Sequence, residues 1–278
     1  MTEDTRNRTV LVTSASGRTG RQVVRAARAA GFGVRAASRG GEVRFDWYDP
    51  STWDGALRGA DAAYLAYAPD IGAPGADRNV AALADRAREL GVGRLVMLSA
   101  RGERQAEPTE RALRDSGAGW TVVRSAWFMQ NFSEGLLVEG VRRGEFVFPA
   151  GEVPEPFVDT RDIADVVVTA LADPAFAGRT VEVTGGRPLS FREALAEVSA
   201  AAGRDVRYVP VAVKEYGEIL AGFGLPAEEV AFMEEVFEGL LDGRNAGATD
   251  GVRQVLGRAP RDFTDFAREQ AAAGAWTS

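Results

Sequence analysis

Three small residues near the start of the chain have the spacing of a phosphate-binding loop. Ser14, Gly17 and Gly20 stand three apart, between the apolar run "TVLVT" (9–13) and a helix-like stretch. Glycines there permit a tight turn and let the backbone approach a pyrophosphate, and the helix start carries partial positive charge. The pattern predicts a dinucleotide site; the alternative is a plain turn. We expect Ser14 to take ordinary backbone angles and to offer its hydroxyl to a phosphate.

A basic residue follows the second predicted strand, "GVRAAS" (33–38), at the position that discriminates between NAD and NADP. A carboxylate there binds the ribose 2′-hydroxyl of NAD, but this chain has Ser38 and Arg39. A guanidinium pairs with a 2′-phosphate, so we predict NADPH as the cofactor, with NADH less favoured. Arg18 supports the same choice. The alternative is that both arginines are simply solvated.

The chain lacks side chains on which many enzymes depend. It has no cysteine and no histidine, which excludes thiol nucleophiles, Ser-His-Asp triads and ordinary zinc sites, and we predict no metal. The only lysine is Lys214 and the tyrosines stand at 48, 64, 67, 208 and 216, so no Tyr-x-x-x-Lys pair exists to protonate an alkoxide. Hydride transfer would then favour a conjugated acceptor, with protonation by substrate or solvent.

Other side chains are candidates for chemistry or substrate binding. Ser99 ends a predicted strand and is a candidate catalytic hydroxyl; the alternative is a local hydrogen bond. Aromatic residues after the sixth main strand suit a small planar aromatic substrate, although helical spacing also fits core packing; these predicted substrate contacts are Trp127, Phe128, Asn131, Phe132 and Phe157. Asp159 and Asp162 precede or begin a helix, where acids more often act as caps or dipole partners.

Alternating β-branched runs and helix-like stretches must position these residues. Strands at "RLVMLS" (94–99) and "WTVVRS" (120–125) continue the series, which indicates parallel βαβ units. The predicted fold is α/β: a Rossmann-like doubly wound parallel sheet with a smaller, mostly helical C-terminal substrate lobe. We assign 1–125 to the Rossmann core, 126–158 partly to the substrate lobe, 159–186 again to the core and 187–278 to the substrate lobe. "WFMQNFSEGLL" (127–137) predicts a helix, and Ser190 with Glu193 predicts a capping box.

Net charge and the length of apolar runs limit the kinds of partner that the protein can bind. The net charge of −7 does not suit nucleic acid. No apolar run reaches the roughly 18 residues of a membrane span, and the polar start "MTEDTRNRT" does not resemble a signal peptide. We therefore expect a cytoplasmic protein with no membrane or nucleic-acid partner, either a monomer or a homodimer.

The motifs together resemble the NmrA-like group of atypical short-chain dehydrogenase/reductases. The start "VLVTSASGRTGRQVV" is similar to that group's T-G-A-T-G-x-x-G start, and further blocks such as "FVDTRDIADVVVTAL" and "GRAPRDFTDFARE" resemble later family blocks across nearly the whole chain. The resemblance implies an NAD(P)(H) site. It places these residues around the cofactor: Ser14, Ser16, Gly17, Arg18, Thr19, Gly20, Arg39, Asp46, Trp47, Tyr67, Ala68, Pro69, Ser99, Ser125, Ala126 and Trp127.

Two hypotheses follow for function. The first is an NADPH-dependent reductase of a conjugated carbonyl, either a quinone or a hydroxyaryl ketone such as a polycyclic aromatic polyketide. The resemblance allows a tailoring ketoreductase of antibiotic biosynthesis, because the family includes such members. The second is a non-catalytic NAD(P)-binding redox sensor that controls a partner protein. An open apolar pocket beside the cofactor site favours the first.

Overall fold

A computed structural model describes residues 5–135 and 137–277, without the side chain of residue 6. Its strands are β1 (Thr9–Val12), β2 (Gly33–Ser38), β3 (Val43–Arg44), β4 (Ala62–Leu65), β5 (Arg94–Ala100), β6 (Gly119–Ser125), β7 (Glu145–Phe148), β8 (Pro154–Glu155), β9 (Arg179–Val183), β10 (Leu189–Ser190) and β11 (Arg207–Pro210). Seven of them form one parallel sheet in the order β3-β2-β1-β4-β5-β6-β9. The predicted Rossmann-like sheet is confirmed.

Helices cover both faces of this sheet and also build a second lobe. They are α1 (Gly20–Ala29), α2 (Trp53–Leu57), α3 (Ala76–Glu89), α4 (Glu107–Asp115), α5 (Val138–Arg143), α6 (Thr160–Ala172), α7 (Phe191–Ala202), α8 (Val213–Gly222), α9 (Ala227–Leu240), α10 (Gly251–Leu256) and α11 (Phe263–Ala272). The β1 residues alternate between two cores: Leu11 packs with α2, α3 and α4, whereas Val10 and Val12 pack with α1, α6 and α10. Burial on both faces explains why the central strands are continuously apolar.

The second lobe encloses a separate, aromatic core. Phe132, Phe146, Phe148, Phe157 and Phe191 pack there with residues of α8, α9 and α11. Two small sheets complete the lobe, β7 parallel to β11 and β8 antiparallel to β10. The predicted capping box is confirmed, since Ser190 and Glu193 exchange both bonds at the start of α7.

Two sequence-based expectations need correction or comment. Only Met129–Phe132 form a helical turn within the helix predicted for 127–137, of which residue 136 lies outside the described residues. The reason is that Val158 bonds to the backbone of Trp127 and Met129, which holds the chain extended there. The fourfold division of the chain stays a prediction, but α10, assigned to the substrate lobe, packs on α6 and β9.

Within residues 5–135 and 137–277, the helices are too short or too polar to cross a bilayer.

Candidate active site

The first candidate region is a groove at the carboxyl ends of β1, β2 and β4. β1 lies between β2 and β4, and the strand order reverses there. Ligands of open α/β sheets bind at such a switch point. The groove has a volume of about 640 Å³, and we call it the strand-end groove. Its walls are formed by Ser14, Ser16, Gly17, Ser38, Arg39, Gly40, Phe45, Asp46, Trp47, Tyr48, Ala68 and Pro69.

The loop has no room for a side chain at Gly20 and little room at Gly17. A Cβ atom on Gly20 would lie 2.1 Å from the carbonyl oxygen of Ser14, and one on Gly17 would lie 3.1 Å from the same oxygen. α1 begins at Gly20, and its N-cap residue Thr19 makes no capping bond; the Thr19 hydroxyl instead accepts from the Tyr64 hydroxyl at 3.0 Å. The start of α1 therefore has no side-chain cap, although the backbone N–H of Arg21 donates to the carbonyl oxygen of Gly17 at 3.1 Å, and an uncapped helix start suits a phosphate. This tight cradle fits the predicted dinucleotide.

Ser14 differs from its sequence-based expectation. Its φ is +49°, the only left-handed backbone at a non-glycine position among residues 5–135 and 137–277. Its Oγ donates to the carbonyl oxygen of Ala66 at 2.9 Å, and the Trp47 indole N–H donates to the same oxygen at 2.9 Å. The expectations of ordinary angles and of a hydroxyl free to donate to phosphate are therefore wrong. The hydrogen bond offsets part of the cost of the left-handed conformation.

The predicted adenine side of the groove is held by an aromatic pair. Asp46 and Trp47 both line the groove, and the Asp46 carboxylate accepts from the backbone N–H of Tyr48 at 3.0 Å. Tyr67 lies behind Trp47, with ring centroids 4.8 Å apart, and its hydroxyl accepts from Asn79 at 2.8 Å. Tyr67 thus supports Trp47 and does not itself form the groove wall, unlike the neighbouring Ala68 and Pro69.

The second candidate region is a cavity between the two lobes, beside the carboxyl ends of β5 and β6. It has a volume of about 360 Å³, and we call it the interlobe cavity. One wall consists of Arg18, Asp70, Ala100, Arg101, Glu103, Ser125, Ala126, Trp127, Phe128, Asn131, Glu134 and Leu137. The other, nearly all apolar, consists of Phe148, Tyr216, Leu220, Leu225, Met233, Val236, Phe237 and Leu240. Such a lining suits a flat, apolar ligand with few polar groups.

The groove and the cavity are neighbours across two loops. In the glycine loop, Gly17 lines the strand-end groove and the next residue, Arg18, lines the interlobe cavity. In the loop after β4, Pro69 lines the groove and the next residue, Asp70, lines the cavity. In both loops, therefore, two consecutive residues line different regions, so the groove and the cavity adjoin there.

The two arginines expected at a 2′-phosphate occupy different places. Arg39 is exposed in the strand-end groove, and within the described part of the chain no hydrogen bond or ion pair engages it. Arg18 instead donates to Oδ1 of Asn131 across the lobes, and burial lowers the pKa of its guanidinium. Arg18 lines the interlobe cavity and not the strand-end groove, so its contact with the cofactor stays a prediction. Arg39 remains the predicted contact.

Three further site predictions are corrected by burial. Ser99 is 2% exposed, lies outside both regions, and donates its hydroxyl proton to Glu110 at 2.7 Å, a local hydrogen bond. Phe132 and Phe157 lie in the second lobe's core with ring centroids 5.2 Å apart, and neither lines the cavity. Their aromatic character reflects core packing. The other predicted substrate contacts, Trp127, Phe128 and Asn131, do line it.

The two acids near α6 have the structural roles favoured by their position. Asp159 caps α6 by accepting from the backbone N–H of Arg161, and it also pairs with the Arg161 side chain. Asp162 is fully buried and pairs with Arg258 and Arg261, which fastens the segment before α11 to α6. Neither acid lines the interlobe cavity.

Sequence reasoning missed several titratable groups that line the cavity, among them two acids and a tyrosine. Asp70 lies in the loop after β4, and Glu103 lies three residues beyond β5. Burial, reinforced by the charge of Asp70, raises the pKa of Glu103 far above the usual range of a carboxyl. Tyr216 lies on α8, and burial raises its pKa to about 12. The sequence did offer one signal for Glu103, because an acid just beyond the carboxyl end of a strand is a candidate site residue. Nothing in the sequence around Tyr216 indicated a place in the cavity.

The fold and the two neighbouring regions define a Rossmann-type α/β protein with a second lobe over its strand ends. Residues 6–255 match the model of the NmrA-like family, and the chain belongs to that family, as its motifs predicted. Among solved structures, Citrobacter sp. triphenylmethane reductase complexed with NADP(H) shares the fold: the TM-score is 0.73 at 18% identity, over 95% of this chain and 99% of that one.

Two curated relatives align over almost their full lengths. The (4-alkanoyl-5-oxo-2,5-dihydrofuran-3-yl)methyl phosphate reductase of Streptomyces griseus is 34% identical, covering 95% of this chain and 98% of the relative. The NAD(P)H azoreductase of Xenophilus azovorans is 32% identical, with the same coverage of both chains.

Proposed function

We propose that the protein is an NADPH-dependent oxidoreductase that reduces a planar, conjugated acceptor. The observation that carries this proposal is the contact between a dinucleotide-type groove and an apolar cavity, which adjoin at Gly17–Arg18 and at Pro69–Asp70. A cofactor held along the strand ends would have its reactive end beside the cavity. Both curated relatives are named as reductases, which supports this class of activity.

The strand-end groove would hold NADPH through charge and backbone contacts. The first turn of α1 offers uncapped N–H groups to the pyrophosphate. Arg39, unengaged by other described residues, would pair with the 2′-phosphate, which NADH lacks. Asp46 and Trp47 would flank the adenine. When bound, NADPH supplies a hydride equivalent, which is chemistry that no side chain provides.

The interlobe cavity would select and orient the acceptor. Apolar residues of α8 and α9 exclude water and favour a flat, largely apolar molecule, while Asn131 and Ser125 add polar groups to the opposite wall. Its volume of about 360 Å³ is near the lower end of typical small-molecule sites. We propose a quinone or a hydroxyaryl ketone, including a polycyclic aromatic polyketide, as the acceptor class.

The rival hypothesis is a cofactor sensor without catalysis, which needs the groove and no pocket. The interlobe cavity favours the reductase, because a sensor has no use for an apolar chamber beside the reactive end of its cofactor.

The direct test is to incubate the protein with NADPH and a panel of quinones and hydroxyaryl ketones and to follow NADPH absorbance. We expect several planar acceptors to oxidise NADPH, and isolated aliphatic ketones to react more slowly. Binding of NADPH without oxidation by any acceptor would reject the reductase and favour the sensor.

A further inference from the structure

We propose that Glu103, held beside Asp70 in the wall of the interlobe cavity, donates the proton that completes reduction of the acceptor. The proposal rests on the reductase function proposed above and names the group that supplies the proton. It replaces the expectation that only substrate or solvent does so.

The position of Glu103 is that of a buried group at a ligand chamber. Its side chain lines the cavity, yet the residue is only 7% exposed. Oε1 is buried without a hydrogen-bond partner among residues 5–135 and 137–277. Gly72 makes room for this carboxyl, because a Cβ atom on Gly72 would lie 2.2 Å from Oε1. A carboxylate in such a place loses hydration without compensation, whereas a carboxylic acid loses less.

The surrounding charges act in the same direction. Asp70 and, more weakly, Glu110 repel a negative charge on Glu103, and only the backbone N–H of Gly72 favours one. Burial is the largest cause, and together these effects raise the pKa of Glu103 well above that of a free carboxyl. These effects favour the protonated form of Glu103 at neutral pH.

Two arginines lie close to Glu103 along the chain. Arg101 donates to Glu182 at 3.0 Å and to the carbonyl oxygen of Asn245 at 2.6 Å. Arg104, the residue after Glu103, is exposed, and among residues 5–135 and 137–277 no ion pair joins it to Glu103.

The other charged groups of the cavity wall are also engaged. Arg18 binds Asn131, and Glu134 pairs with Arg21. Within the described part of the chain, no cation therefore forms an ion pair with Glu103.

Tyr216 is the rival donor in the same cavity. Its pKa is raised to about 12 by burial alone, and its ring packs against Phe148 and Phe237 at 5.4 and 5.7 Å. An acid is most effective when its pKa lies near the operating pH, which favours Glu103.

The proposed step balances as follows. With a ketone, the carbonyl carbon gains a hydride equivalent from the reduced nicotinamide, which is thereby oxidised, and the carbonyl oxygen gains the carboxyl proton of Glu103, so the product is a neutral alcohol. With a quinone, one carbonyl oxygen gains the hydride equivalent and the other gains the Glu103 proton, so the product is a neutral hydroquinone. The Glu103 carboxylate then regains a proton from solvent before the next turnover.

The first test needs no acceptor. Infrared spectra of the full-length protein at pH 7 are compared for wild type, Glu103→Gln and the matched control Glu107→Gln, which alters an exposed carboxylate on α4. We expect the wild-type-minus-Glu103→Gln difference to contain the C=O stretch of a protonated carboxylic acid, and the control difference to lack it. A wild-type protein without this Glu103 band overturns the proposal, whatever its activity.

A second variant keeps the test decisive if Glu103→Gln does not fold. Asp70→Asn leaves Glu103 in place and removes a charge that raises its pKa. The band should then disappear at a lower pH than in wild type. If the pH midpoint of the band did not move, Asp70 would not raise the pKa of Glu103, which would contradict the proposal.

The kinetic test separates Glu103 from its rival. With an isolated ketone as acceptor, Glu103→Gln should lower kcat about 100-fold, at the lower end of the usual contribution of a general acid. Quinone reduction should fall less, and NADPH affinity should not change. Unchanged ketone turnover, or a loss in Tyr216→Phe alone, overturns the proposal. A present band with no turnover of any acceptor rejects the reductase and the donor role together.

Discussion

The strand-end groove and the interlobe cavity differ in how they treat charge. The groove offers positive charge: backbone N–H groups lie at its glycine loop, and Arg39 stands exposed without a described partner. The cavity is largely apolar: Arg18 is engaged across the lobes, and Glu103 is buried without an ion pair. Under the proposed function, the groove would recognise the anionic cofactor by its positive charge, and the cavity would surround the acceptor with apolar side chains.

The largest expected effect comes from filling the loop of the groove. Gly20→Ala places a Cβ atom 2.1 Å from the backbone of Ser14, so the loop must move. We expect the free energy of unfolding to fall by about 1–3 kcal/mol and NADPH affinity to fall on the order of 100-fold, equivalent to about 3 kcal/mol. Calorimetric titration and thermal unfolding measure both. Gly55→Ala, where a Cβ atom meets nothing within 4 Å, is the control; equal behaviour of the two variants would refute the tight cradle.

The next effect distinguishes the two arginines. Arg39→Ala should weaken NADPH binding about 10- to 100-fold, the loss typical of hydrogen bonds to a charged group, and leave NADH binding unchanged. Arg18→Ala should leave the NADPH-to-NADH affinity ratio as it is in wild type, because Arg18 binds Asn131 instead. Fluorescence titration with both cofactors measures the ratio. If the affinity ratio changed in Arg18→Ala and not in Arg39→Ala, Arg18 and not Arg39 would be the residue that recognises the 2′-phosphate.

A smaller effect tests the apolar wall of the cavity. Met233→Gln replaces an apolar side chain on α9 by a polar one of similar length. We expect KM for a planar acceptor to rise about 3- to 10-fold, since roughly 1 kcal/mol of apolar contact is lost, with NADPH affinity unchanged. Steady-state kinetics at saturating NADPH measure this change. Glu235→Gln, exposed on the same helix, is the control; a weakened NADPH site in Met233→Gln would argue against separate regions.

The smallest effect concerns Ser14. Ser14→Ala removes the hydrogen bond to Ala66 but keeps the left-handed backbone, so we expect a loss of about 1 kcal/mol. Ser14→Gly loses the same bond but relieves about 1 kcal/mol of conformational cost. Its stability should stay near that of wild type, as measured by denaturant unfolding. If the alanine variant were as stable as the glycine variant, the left-handed backbone at this position would carry no conformational cost for a residue with a side chain.

The predictability of the two regions also differs, for a physical reason. The groove depends on short-range patterns: a strand, a glycine loop, a helix and Arg39 lie within residues 9–39, and the sequence predicted this part of the fold. The backbone angle of Ser14 was not predictable, because it depends on Ala66, 52 residues away. Burial, not residue type, separates Arg18 from Arg39.

The cavity depends on contacts between distant segments. Its walls combine the loops after β4 and β5 with α8 and α9, and sequence periodicity does not say which apolar faces meet. For this reason Phe132 and Phe157 were mistaken for substrate contacts, while the wall containing Met233 and Phe237 was missed. The position of Glu103 just beyond β5 is visible in the sequence, but its burial and its proximity to Asp70 are not.

The most direct test of the central claim follows the fate of a labelled hydrogen. The protein is incubated with NADPH that carries deuterium at C4 of the nicotinamide and with the best planar acceptor from the panel, and the product is examined by mass spectrometry and NMR. We expect one C4 hydrogen, from one face of the ring, to appear on the reduced carbon of a hydroxyaryl ketone. Tight NADPH binding without deuterium transfer to any ketone acceptor, and without oxidation by any quinone, would contradict the account.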